Sequence, residues 1–146
     1  MAVQVQSTGT TYSAPVSLAL LLTRVGLASV FMYHGAQKMF GAFGGPGLSV
    51  MMEKMGPVLG FLVSFGEFFG GLAVLVGLLT RFSGASLAVI MLGAIVMVHG
   101  KNGFSGDGGF EFNFVLLMMG LAVFIAGPGK HALARVLPAK LKPWLE

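Results

Sequence analysis

Six side chains in this sequence are of types that do chemistry and stand where an apolar chain has little reason to carry them: His34, Lys38, Glu67, His99, Glu111 and Asn113. His34 and Lys38 are four residues apart, which puts them on one face of a helix. Glu67 lies inside Gly66-Glu67-Phe68-Phe69-Gly70-Gly71, and Arg24 is a seventh ionisable group within an apolar run. A charge inside such a run is costly in lipid and marks either a functional position or a structural ion pair. Histidine, carboxylate and ammonium groups gathered at one site can hold a polar ligand and move protons. Glu67, His34 and Lys38 are the candidates for that work.

No metal site is expected. The 146-residue chain has no cysteine, which removes disulfides, thiolate ligands and any thiol redox cycle of its own. The three histidines form no closed zinc-ligand set, and Asp107 lacks the companion carboxylates of a calcium loop. His34 and His99 could in principle ligate a b-type haem, a weaker reading than a hydrogen-bonded organic ligand. No phosphate-binding or dinucleotide fingerprint is present.

The elements that must position these groups are membrane helices. Of the residues, 55% are hydrophobic and only 10% charged, and the mean hydropathy is +0.88. So few charges cannot cover a soluble domain of this size. Four apolar runs, at residues 15–36, 57–80, 82–99 and 110–126, are long and continuous, unlike the alternating strands of a barrel. The fold class expected is therefore all-α, an integral membrane four-helix bundle forming a single domain over 1–146. The first 14 residues are expected to be flexible, with no positive segment of a cleaved signal peptide. Residues 130–146 form a basic tail.

Lysine and arginine bias sets the orientation. Arg81 and the tail residues Lys130, Arg135, Lys140 and Lys142 place both termini in the cytoplasm. The glycine-rich segments 41–56 and 100–109 then face outward, and residues 48–55 are expected to form a short interfacial helix. The net charge of +4 suits anionic lipid head groups rather than nucleic acid, because the basic residues form no aromatic-interleaved patch. With about 1.5 Å of rise per residue, Arg24 and Glu67 come to within a few ångströms of the same depth, and a structural ion pair between them is expected. The other polar groups converge at the outer mouth, giving an outward-facing polar pocket floored by Glu67.

In order along the chain, Arg24-Val-Gly26, His34-Gly35-Ala-Gln-Lys38, Glu67-Phe-Phe-Gly-Gly71-Leu, Gly77-Leu-Leu-Thr80-Arg81, His99 and Gly127-Pro-Gly129 resemble the DoxX family over residues 17 to 133. The resemblance implies a multi-pass protein of the bacterial inner (plasma) membrane. Its relatives include the membrane subunit of a thiosulfate:quinone oxidoreductase and partners of oxidative-stress enzyme complexes. It marks Arg24, His34, Lys38, Glu67, Arg81 and His99 as the positions of interest. Where many members continue the Gly-Pro-Gly turn with Ser-hydrophobe-Asp, this chain has Lys130-His131-Ala132.

Two functions follow. One is a membrane subunit of a quinone-linked redox complex, not catalytic alone, with quinone in the polar pocket and electrons supplied by a partner. The other is a non-enzymatic scaffold or assembly subunit. Expected partners are membrane lipids, other membrane subunits or further copies of the chain.

Overall fold

A computed structural model of the chain describes residues 12–138. The expectations for a flexible N-terminus and for a basic tail that includes Lys140 and Lys142 fall largely or wholly outside them. The described residues are helical, with no strand among them. Helix α1 spans Ala14–Phe40, α2 Gly47–Met55, α3 Pro57–Val76, α4 Thr80–Ala94 and α5 Glu111–Ala126. Beyond Ala94 the same rod runs on as a π-helical turn, Ile95–His99, and a 3-10 turn, Gly100–Asn102.

The boundaries follow from local chemistry. Proline stands in the first turn of both α1 and α3, where its missing N–H costs nothing. α1 continues a turn past the expected Ala36, since Gln37 and Lys38 are good helix formers, and stops where Gly41 turns left-handed at φ 69°. α3 stops four residues before the expected Thr80 because Gly77 takes the same cap, φ 78°. Gly77 and Leu78 both donate to the Ala73 carbonyl at 3.0 Å. The chain then reverses within Gly77–Leu79, and α4 begins at Thr80.

Three helices are long and apolar enough to cross a membrane: α1, α3 and the continuous Thr80–Asn102 rod. α5, with 16 residues, is the shorter fourth member. α1 packs most extensively on α3 and α4 on α5, while α3 meets α4 and α1 meets α5 less closely. This closes a four-membered ring in the order α1, α3, α4, α5.

The core is thin: Leu27, Phe31, Val74, Leu87, Met91, Leu116 and Val123. Large apolar side chains such as Val58, Phe82, Val96 and Ile125 point outward and are about 70% exposed. That inversion suits a bundle solvated by lipid rather than water. Tight packing rests on small residues. A Cβ on Gly84 of α4 would lie 2.9 Å from the Gly120 carbonyl of α5, and one on Gly35 of α1 only 2.6 Å from the Phe68 Cα of α3. Gly66 and Gly70, the spacing that reads as a packing face, meet only the side-chain ends of Ile90 and Leu87. The closest backbone approaches lie elsewhere.

Candidate functional site

Glu67 occupies the middle of α3 and is 3% exposed. Its partner is Lys38, near the C-terminal end of α1, whose Nζ donates to Glu67 Oε2 in a salt bridge. The expected Arg24–Glu67 pair does not form. The Arg24 guanidinium instead donates to four backbone carbonyls, each at 2.7 Å: Val74 and Leu75 in the last turn of α3, and Pro128 and His131 in the turn after α5. Depth arithmetic places Cα atoms and says nothing about which way a long side chain leans. Arg24 leans toward the end of α3, where carbonyls have no intrahelical partner and the helix dipole is negative. It is 1% exposed and has no carboxylate partner among the described residues. It is a clamp that ties α1, α3 and the segment after α5 together.

With Arg24 drawn away, Glu67 faces a cavity of about 170 Å3. All four helices of the ring line it, and among its walls are His34, Lys38, Glu67, His99 and Asn113. Five of the six expected ligand-binding residues therefore share one cavity. Glu111 does not. It opens α5 with its side chain exposed, while its backbone N–H closes the preceding loop on Phe104 O at 2.8 Å. Apolar walls come from Val30, Phe31, Met91, Phe112 and Leu116, residues with no signal in the sequence beyond helical spacing.

The loops orient the polar groups. The π turn at Ile95–His99 carries His99 to the cavity, a local winding that recurs at functional sites. His99 Nδ1 lies 2.9 Å from the Gly108 carbonyl, to which Asn102 Nδ2 also donates. A carbonyl only accepts, so His99 Nδ1 carries a hydrogen. His34 Nδ1 lies 3.1 Å from Gln37 Oε1, one turn along α1. Asn113 Nδ2 donates to the Met91 sulfur at 3.6 Å. No group of three or more metal-ligating side chains occurs among the described residues.

Arg81 stands apart from the cavity. Its guanidinium donates to the Phe124 and Ile125 carbonyls at 2.9 and 2.7 Å, capping the end of α5. The motif positions of the sequence thus divide into two groups. Arg24 and Arg81 fasten the end of the bundle where α3 and α5 finish. His34, Lys38, Glu67 and His99 surround the cavity toward the other end.

A ring of apolar helices with a small polar cavity defines the class, a multi-pass membrane protein with an internal polar site. The chain belongs to the DoxX family, whose pattern matches residues 19–100. It is also similar to the Bacillus subtilis (strain 168) protein named "Putative oxidoreductase CatD": the two are 31% identical over 116 residues, covering 75% of this chain and 80% of that one. No solved structure matches it.

Proposed function

We propose that this chain is the membrane subunit of a quinone-linked oxidoreductase complex in the bacterial plasma membrane, holding a quinone ring in the cavity beside Glu67. The observation that carries this reading is the Lys38–Glu67 ion pair set against two histidines and an asparagine in a cavity of about 170 Å3. An engineered apolar cavity of about 150 Å3 accepts benzene, so this space suits one six-membered ring and is too small for haem. Any isoprenoid tail would extend among the lipid-facing side chains. The relative's name, an oxidoreductase, supports a redox setting.

The cavity groups have defined work in this reading. Glu67 and the histidines take up or release the protons that accompany a change in quinone oxidation state. Lys38 anchors Glu67 through Oε2 and leaves Oε1 toward the ligand. Electrons pass to or from a partner subunit, since the cysteine-free chain has no thiol couple of its own.

The test is to purify the chain in mild detergent, extract its bound lipid-soluble molecules and assay quinone turnover in membranes with Glu67→Gln and His34→Ala. Copurifying quinone, and turnover lowered by about tenfold or more in each variant, are the expected results, in line with the usual contribution of one acid–base group. Quinone-free protein with unchanged turnover in both variants would falsify the reading.

A scaffold role is the second reading, and one observation favours it. An apolar groove of about 680 Å3 lies between α3 and α4, walled by Phe65, Phe69 and Phe82 around Gly66, Gly70 and Ser86. A helix of another subunit or of a second copy would fill it. Quinone-free protein that copurifies stoichiometrically with a large complex supports this alternative.

A further inference from the structure

Hydrogen-bonding capacity left open in the cavity is mostly of one sign, and this bears on which oxidation state of a ring it holds. His99 Nδ1 is committed as a donor to the Gly108 carbonyl. In the neutral ring the other nitrogen, Nε2, is then a bare lone pair that only accepts. Asn113 spends an N–H on the Met91 sulfur, which leaves its Oδ1 as an acceptor. Glu67 accepts from Lys38 through Oε2, leaving Oε1 as a third acceptor. None of these three atoms has a partner among the described residues. His34 follows the same pattern, with Nδ1 on Gln37 Oε1. On the other side of the balance stand the two ammonium hydrogens that Lys38 does not give to Glu67 and the second N–H of Asn113.

We infer that the cavity selects the reduced, hydroxyl-bearing form of a one-ring aromatic, a hydroquinone, over the oxidised dicarbonyl form, and that His99 Nε2 determines this selectivity. The inference rests on the quinone-pocket reading and deepens it. A hydroquinone brings two O–H donors, which can satisfy His99 Nε2 together with Asn113 Oδ1 or Glu67 Oε1. Its oxygens can still accept from Lys38. A quinone of the same size and shape brings acceptors only. It can accept from Lys38 and from the second N–H of Asn113, but an oxygen set against His99 Nε2 would oppose two lone pairs and leave that acceptor unsatisfied. A site built to bond a hydroxyl rejects an analogue lacking it far more strongly than one missing only apolar bulk. The Gly108 carbonyl, by fixing the His99 tautomer, sets the sign of the site from outside it.

The experiment is anaerobic calorimetric titration of the full chain in lipid nanodiscs with hydroquinone and with 1,4-benzoquinone. The cysteine-free chain offers no thiol for the quinone to alkylate. Hydroquinone is expected to bind at least about tenfold more tightly, the size of one hydrogen bond made against one left unmade. In His99→Phe, which keeps a ring of similar width but no acceptor, the ratio is expected to fall to within about threefold. Should that variant fail to assemble, His99→Gln, which can turn an N–H donor toward the ring, is expected to narrow the ratio in the same way. Equal or tighter binding of benzoquinone by the unmodified chain, or a ratio unchanged in the His99 variants, overturns the inference and leaves the quinone pocket standing. If neither ring binds, the pocket reading itself is lost and this inference with it.

Discussion

Arg24 and Glu67 are two buried ionised groups in adjacent helices, and each is neutralised by something other than its counterpart. Glu67 has Lys38; Arg24 has four carbonyl oxygens. A double-mutant cycle separates these arrangements. Coupling between Arg24→Met and Glu67→Gln is expected to be near zero, within about 0.5 kcal/mol, because the sites share no partner. The Lys38→Met and Glu67→Gln pair is expected to couple by about 0.5 kcal/mol or more. Arg24→Met alone is expected to cost at least about 3 kcal/mol, since charged hydrogen bonds vanish and buried carbonyls lose their donors. Reversible unfolding in mixed detergent micelles measures all of these. Residues 24, 34, 38, 67 and 99 stand out in the sequence by their types alone, as ionisable groups in apolar runs. Which of them pair was not legible, because a lysine or arginine side chain reaches several ångströms along the helix in either direction.

At the scale of elements, helix positions were readable to within a few residues because apolar runs and glycine or proline stops mark them. The interfacial segment expected over 48–55 is helix α2, and the spans expected at 57 and 110 begin at Pro57 and Glu111. Contacts between helices were less readable. Gly66 and Gly70 carry the familiar spacing, yet the close backbone approaches are at Gly35, at Gly60 against Met51 of α2, and at the Gly84–Gly120 pair. With 23 glycines in the chain, spacing alone could not single these out. Gly35→Val would drive a side chain into the Phe68 backbone and is expected to destabilise the bundle by about 1–3 kcal/mol through overpacking. Gly93→Ala, with nothing within 4 Å of the added Cβ, is expected to be neutral or stabilising by about 0.5–1 kcal/mol through reduced chain entropy. Denaturant midpoints in detergent decide both, and a Gly35→Val midpoint equal to the parent's would mean that α1 and α3 are not packed this closely.

The whole molecule raises the question of which way the bundle sits. Charge bias predicts that both termini lie in the cytoplasm and that the loop before α5 lies outside. Because the chain has no cysteine, single-cysteine variants report this directly in spheroplasts. Ser105→Cys is expected to react with an impermeant maleimide added outside, and Lys130→Cys only after the membrane is opened. The reverse pattern would turn the cavity toward the cytoplasm. Sequence by itself determined the all-helical membrane class, the approximate spans and the cast of polar residues, because the length and apolarity of a span are local properties that lipid reads one segment at a time. Only the tertiary structure decided that Arg24 is a clamp and not the partner of Glu67, that Glu111 stays outside the cavity, and that His99 Nδ1 is taken up by the Gly108 carbonyl. Those outcomes depend on where carbonyl groups from separate helices and loops come together, and no spacing along one chain encodes that.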